Sequence, residues 1–359
     1  MNDPLFSRPW WRRQLFALFA RLAPKHEGPP PPLPDHPRRV LVLAPVALGD
    51  YLVLSPLLSA LARKKPRTEV AVVVTRTSYE LAAVDTNVHR ILLYKKLPAW
   101  PLSMIEIIRY KPDVVVLPKG HPAFTESLLL AVTHAPFRVG LSHPHHDALL
   151  THPVQHDWEA EHRSESFVRL LAPFGIDPTS VSRRVHIGTD PEAERFAETV
   201  IRRQPPGEPV IALNISATQP MRLWPLDKWK ALVRFILAER PNSLFFVLSA
   251  PAERPVAEAL AVEFPPLTAV RTRRMLEAVA IVARVDLLIT VDTGMVPAAT
   301  ARDVPMVAMY SGNHGAYTCF GPQTVAHRAV FAERGRPLSD LEPEEVYRAV
   351  RSLMMELER

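Results

Sequence analysis

Residues 38–61 read RRVLVLAPVALGDYLVLSPLLSAL. The apolar run Val40–Val46 is a buried strand, and from Tyr51 to Lys65 apolar residues recur at helical spacing. Gly49 permits a tight turn at the strand's carboxyl end, and Asp50 stands at the entry to the helix. The same alternation continues downstream. Strands are predicted over 70–75, 91–94, 113–118 and 137–141, and helices over 105–110 and 165–174, with Gly175 as a C′ glycine. Strands alternating with helices imply a parallel sheet covered on both faces.

The stretch 176–208 carries Pro178, Pro191, Pro205 and Pro206 and a single predicted helix near 191–203, so it reads as an interdomain crossing. The alternation then restarts. VIALNI (210–215), LFFVLSA (244–250), DLLITV (286–291) and VPMVAMY (304–310) are strands. Helices are predicted over 226–239, 254–263, 275–283, 295–302 and 343–358. The fold class is α/β, with two Rossmann-like doubly wound domains. Ligands of such sheets bind outside the carboxyl ends of the strands, which predicts a site in a central cleft between the domains.

At 359 residues the chain is long enough for two cores. A content of 47% hydrophobic and 22% charged residues excludes wholesale disorder and collagen. Cys319 is the single cysteine, which excludes an internal disulfide and a cysteine-built zinc site. Lys and Arg exceed Asp and Glu by 43 to 37, a mild excess suited to anionic ligands. Nucleic acid is not an expected partner, because no basic stripe with interleaved aromatics exists outside residues 8–21. No apolar run reaches the roughly 18 residues that span a bilayer. Neither G-x-G-x-x-G after the first strand nor a P-loop motif occurs, which disfavours dinucleotide oxidoreductases and P-loop NTPases.

Residues 1–23 combine Trp10, Trp11, Phe16 and Phe19 with Arg8, Arg12, Arg13 and Arg21. Two readings stand: an interfacial helix on an anionic membrane, or a helix packed on the protein's own surface. Arg21 interrupts the apolar stretch and no small-x-small cleavage site follows, so a signal peptide is not expected. GPPPPLP (28–34) is a stiff polyproline spacer.

Three loops at strand carboxyl ends carry candidate chemistry. Asp50 is either an N-cap or a general base. In the second loop, Ser216, Thr218 and Arg222 would suit a diphosphate, Arg by its fixed fork of donors. The alternative is a surface arginine near a helix start, with Trp224 as packing. Asp292, Thr293 and Gly294 lie between strand and helix, where free N–H groups bind phosphate, or else they form a plain cap. His143, His145, His146, His152, His156 and His162 crowd one stretch. No i, i+4 pair with a carboxylate orients them, so a loop meeting an anionic acceptor is favoured over a metal site.

RRVLVLAPVALGDYLVLSPLLSAL, THPVQHDWEAEHRSESFVRLLAPFGI (151–176), ATQPMRLWPLDKW (217–229), SAPAERPVAEAL (249–260) and LLITVDTGMVPAATARDVPMVAMYSG (287–312) together resemble the lipopolysaccharide heptosyltransferase family. The resemblance covers about residues 38–330. It implies a GT-B fold and inverting, metal-independent transfer of heptose from ADP-heptose, with no cofactor. The implied acceptor is a lipid-linked saccharide, the lipopolysaccharide core or a related glycolipid. The enzyme would be cytoplasmic and peripheral on the inner face of the cytoplasmic membrane.

The implied domains are an N-terminal amphipathic segment and spacer (1–38), an acceptor domain (39–185), a linker (186–208), a nucleotide-sugar domain (209–340) and a C-terminal helix (341–359). Asp50 matches the family's catalytic aspartate. Arg222 matches the basic residue facing the donor diphosphate, and Thr218 a phosphate-contacting hydroxyl. Glu253 matches the acid on the ribose. Asp292, Thr293 and Gly294 match the D-T-G loop around the donor. His162 matches a position often His. Ser216 stands where the family usually has Gly, and Met295-Val296-Pro297 replaces the usual P-M-H, which removes a histidine. That departure motivates an alternative, a catalytically silent GT-B relative acting as a membrane-associated binding or assembly protein.

Overall fold

The computed structural model describes residues 31–44, 46–64, 68–95, 98–121, 124–201 and 208–358. Residues 1–30, which hold the amphipathic segment and the start of the spacer, lie outside the described residues.

The chain divides into two compact units, the first ending at Arg183 and the second starting at Arg184. In the first unit, β1 (Arg39–Leu43), β2 (Glu69–Val74), β3 (Arg90–Leu93), β4 (Val114–Leu117), β5 (Phe137–Leu141) and β6 (His152–Val154) form one sheet in the order β3-β2-β1-β4-β5-β6. In the second, β7 (Val210–Asn214), β8 (Leu244–Leu248), β9 (Leu267–Val270), β10 (Leu287–Val291), β11 (Met306–Tyr310) and β12 (His327–Phe331) take the order β12-β11-β10-β7-β8-β9. Counted within each unit, both sheets run 3-2-1-4-5-6, the dinucleotide-fold order. Every described strand pair is parallel, with Val40 opposite Val70 and Val114, and Leu288 opposite Ala212 and Met306. The predicted α/β, doubly wound class is the one observed.

The central strands are apolar on both faces because helices cover both. Val40–Leu43 and Val210–Asn214 are buried throughout. In the second unit Trp229 is fully buried beside Ile236, Phe245 and Ile289. The terminal helix Pro343–Leu357 adds Val346, Val350 and Leu353 to that same core. The helix Pro191–Val200 also belongs to the second unit. Asp190 caps it at Ala193 N and pairs with Arg274 at 2.9 Å.

Some local expectations change. The helix predicted from Tyr51 starts earlier and is broken, into Leu48–Val53 and Ser55–Arg63. Pro56 is the cause: it has no N–H for the Leu52 carbonyl, and its ring crowds that carbonyl. Gly49 is therefore inside the first turn. The helices Arg76–Ala83, Phe124–Val132 and His314–Phe320 and the strands β6, β9 and β12 were not predicted. β6 and β12 are edge strands; β6 is three residues long and contains Pro153, which an edge tolerates. Gly175 does take the left-handed conformation, φ 70°, after the turn Ala172–Phe174. Among the described residues no helix is long and apolar enough to cross a membrane.

Candidate active site

Strand order reverses between β1 and β4 in the first sheet and between β7 and β10 in the second. The crevice outside the carboxyl ends at such a switch point is where ligands bind in open α/β sheets. Asp50 follows β1, Arg222 follows β7 and Asp292 follows β10, so each lies on a loop or first turn at a switch point.

In the first unit, Asp50 is not a cap. Ala47 is the N-cap of Leu48–Val53 and makes no side-chain capping bond, and Asp50 is the third residue of the helix. Asp50 instead lines a cavity of about 280 Å³ with Lys119, His121, Trp158 and Phe167. Burial pushes the Asp50 carboxyl above its ordinary range, while the positive charges of Lys119 and Arg163 pull it back. A desolvated carboxylate is a stronger base than one in water. Lys119 is held by the buried Glu126 through an Nζ–Oε1 ion pair. Arg163 is buried, and its guanidinium carbon sits 3.4 Å from the centre of the Trp158 ring.

Lys119, His121, Trp158 and Arg163 were not singled out from the sequence. Pro118-Lys119-Gly120-His121 follows β4, the other strand of the switch point, and that position was the available signal. Trp158 and Arg163 arrive from a loop and helix start far along the chain, with no local mark.

In the second unit, Arg222 Nη1 lies 3.2 Å from Asp292 Oδ2 and 3.3 Å from the Asp292 carbonyl. Asp292 is buried; burial raises its carboxyl and Arg222 lowers it. Asn214, at the end of β7, donates to Thr290 Oγ1 at 2.9 Å and Thr293 Oγ1 at 3.0 Å, which ties the two switch-point strands together. Thr293 Oγ1 also accepts from Met295 N at 3.2 Å, and Gly294 is the N-cap residue of Met295–Ala301. Pro297 is the third residue of that helix, where its missing N–H leaves no helical bond unmade. Ser216 Oγ accepts from Ala250 N at 2.7 Å, so Ser216 ties the loops after β7 and β8. Thr218 is exposed, and Glu253 stands half-buried at the start of Arg254–Glu263. Trp224 is packing: its Nε1 donates to Leu341 O and its ring meets Trp229 edge-on. The buried Tyr310 hydroxyl, close enough to Asp292 to feel its charge, has no hydrogen-bond partner among the described residues.

The histidine-rich stretch separates into structural parts. His162 caps Arg163–Arg169 by accepting from Ser164 N, and the buried His146 bonds the Leu141 carbonyl through Nε2 at 2.8 Å. Among the described residues no group of three His, Cys, Asp or Glu side chains is placed to hold a metal ion.

The sequence profile of glycosyltransferase family 9 (heptosyltransferase) matches residues 109–337, more than half of the chain. The chain belongs to that family. As a family 9 member it is a glycosyltransferase, and the family expected from the sequence is the one found. Among solved structures, a family 9 glycosyl transferase from Veillonella parvula is similar with a TM-score of 0.76 at 21% identity, over 89% of this chain and 97% of that one. The E. coli ADP-heptose lipopolysaccharide heptosyltransferase II gives 0.69 at 17% identity, over 89% and 100%. E. coli heptosyltransferase WaaC with ADP gives 0.66 at 18%, over 89% and 98%. At these identities the likeness shows the fold. A search of curated proteins returns no match.

Proposed function

We propose that this glycosyltransferase moves a heptose, with inversion, from ADP-heptose to the lipopolysaccharide core or a related lipid-linked acceptor. The observation that carries the reading is Asp50, a switch-point residue that is not the N-cap and lines a cavity beside Lys119. A sugar hydroxyl is a poor nucleophile, and a carboxylate within reach takes its proton as the new bond forms at the anomeric carbon. The bond from that carbon to the diphosphate breaks as the new one forms, and attack opposite the leaving group inverts the centre.

The leaving diphosphate gains charge as it departs. Arg222 and the N–H groups around Thr293 and Gly294 stabilise that charge more than they stabilise the bound donor, which is what accelerates the step. Cations of the protein thus fill the part a divalent metal plays elsewhere. Thr218 and Glu253 are assigned to the donor phosphates and ribose on the family resemblance. The choice of adenine draws on the E. coli relative whose structure contains ADP. The enzyme would work from the cytoplasmic side, held to an anionic membrane surface by residues 1–23.

A thermal-shift series tests the donor assignment, because a ligand of the native state raises the melting temperature. ADP should stabilise the chain, UDP and GDP less, and EDTA should not change the ADP response. Equal responses to all three nucleotides would remove the ADP assignment.

A further inference from the structure

We propose that Tyr310 is a positioning residue of the second-unit site: its hydroxyl takes hold of the Asp292 carboxylate when a nucleoside diphosphate draws Arg222 away. The inference rests on reading Arg222 as the cation that meets the donor diphosphate. Val291 stands opposite Met309 across β10 and β11, so the next residues, Asp292 and Tyr310, leave neighbouring parallel strands side by side. Adjacent strands run about 4.8 Å apart. Val291 and Met309 both enter the apolar core of the second unit, and strand alternation turns Tyr310 to the other face.

Two buried groups there complement each other. Tyr310 is 1% exposed, and its hydroxyl has no hydrogen-bond partner among the described residues. A buried hydroxyl without a partner costs stability, and phenylalanine would avoid that cost. The ring is fixed, stacked on Phe331 with centroids 5.4 Å apart and edge-on to Tyr317 at 5.4 Å. The second group is the buried Asp292 carboxylate, which Arg222 Nη1 holds at 3.2 Å.

The pair is unequally exposed: the Arg222 side chain is 26% exposed and that of Asp292 is 9%. The cation can turn to a ligand while the carboxylate stays buried. A diphosphate offers Arg222 charged oxygens that suit its fork of donors. Asp292 then needs another donor, because a buried carboxylate without one is costly. Asn214 Nδ2 already serves Thr290 and Thr293, and Thr290 Oγ1 donates to the Val291 carbonyl. The Tyr310 hydroxyl is the buried donor without an acceptor, and a turn of the Asp292 side chain supplies one.

The test is a mutant cycle on the full chain, read by melting temperature without nucleotide and by calorimetric titration with ADP. Tyr310→Phe alone should leave the melting temperature unchanged or raise it, because no bond is lost. In Arg222→Ala, where Asp292 has lost its cation in every molecule, the same step should lower the melting temperature. Arg222→Met repeats the charge removal if the Ala variant does not fold. Tyr310→Phe alone should weaken ADP binding about 3- to 10-fold, the scale of one hydrogen bond. A merely structural tyrosine would lower the melting temperature alike in both backgrounds, and that result overturns the proposal. A Tyr310→Phe protein less stable than the wild type also overturns it, since the hydroxyl would already be bonded. Unchanged ADP affinity in Tyr310→Phe, with weakened affinity in Arg222→Ala, overturns this proposal and leaves the donor reading standing. Unchanged affinity in Arg222→Ala overturns the donor reading, and the proposal with it.

Discussion

Arg222 and Asp292 are 70 residues apart in sequence, yet Arg222 Nη1 lies 3.2 Å from Asp292 Oδ2. Their loops leave the carboxyl ends of neighbouring parallel strands, β7 and β10, whose register places Asn214 opposite Thr290. The pair holds a cation ready at the second switch point. Arg222→Ala should weaken nucleoside diphosphate binding by about 10- to 100-fold, the equivalent of one or two charge-assisted hydrogen bonds. Arg222→Lys should restore part of it, because charge counts as well as fork geometry. Calorimetric titration with ADP gives the numbers, and equal affinity in all three proteins would remove Arg222 from the donor site.

Asp50→Asn removes the base and keeps the shape of the side chain. Ala47, not Asp50, is the N-cap residue, and Asn keeps an acceptor oxygen in the first turn, so the helix Leu48–Val53 should be preserved. Turnover should fall about 10²- to 10⁴-fold, the usual general-base contribution, with ADP affinity unchanged. A variant that turns over near the wild-type rate would assign proton removal to another group.

Much of this was legible along the chain. The apolar runs 40–46 and 210–215 each announce a strand followed by a helix, and their repetition yields two doubly wound sheets. Of the edge strands, β3 was legible as 91–94, and β6, β9 and β12 were not. β6 and β12 are short strands that carry histidine, proline or arginine, residues that look like loop when read alone. Asp50, Arg222 and Asp292 were readable because each lies in the connection that leaves a strand's carboxyl end. Trp158 and Arg163 were not, because only the packing of a distant loop onto Gly120 brings them to the cavity wall. Asp50 as a helix cap was a sound local reading that failed for a local reason: the helix begins at Leu48, not Tyr51.

Gly312 follows β11 where two chain segments meet. A Cβ there would come 2.0 Å from Glu333 O and 2.4 Å from Gly335 N, both backbone atoms that cannot rotate away. Gly312 N also donates to Arg336 O at 2.9 Å, so the contact is fixed from both sides. Gly312→Ala should cost about 1–3 kcal/mol, as overpacking does. Gly315→Ala is the control, since its Cβ would meet only Asn313 Oδ1, at 3.2 Å. Chemical denaturation that ranks the two variants equally would reject this account.

His146 should make stability fall in acid. It is 1% exposed, and burial pushes its imidazole below the ordinary 6.5. The native state therefore favours the neutral ring, so the stabilisation is full above pH 6.5 and is lost as pH falls from there through the lower native value. Within that window the slope from one such group is at most about 1.4 kcal/mol per pH unit. His156 is shifted in the same sense and adds to it. His146→Gln keeps a donor for the Leu141 carbonyl and should flatten the acid limb. If its melting temperature depends on pH as steeply as the wild type's between pH 7 and 5, His146 is not the cause.

The membrane reading of residues 1–23 can be tested by truncation, and the structure sets where the cut must fall. Removing residues 1–34 would take Leu33, which is 9% exposed, out of its packing. The chain is also tied further on, where Thr68 Oγ1 donates to Pro37 O at 3.0 Å. A cut before Pro31 spares both. That truncated protein should keep its melting temperature and ADP affinity, because no residue of either sheet or either switch point is lost. It should lose sedimentation with anionic vesicles. Arg8, Arg12, Arg13 and Arg21 each contribute about 1 kcal/mol near such a surface, so raised salt should weaken the full chain's binding in the same direction. Salt screens the arginines but not the burial of Trp10, Trp11, Phe16 and Phe19, so the truncation should remove more binding than salt does. If the truncated protein sediments with the vesicles as fully as the intact chain, the anchor reading fails. The aromatic and basic residues of that segment are then better explained as a helix packed on the protein itself.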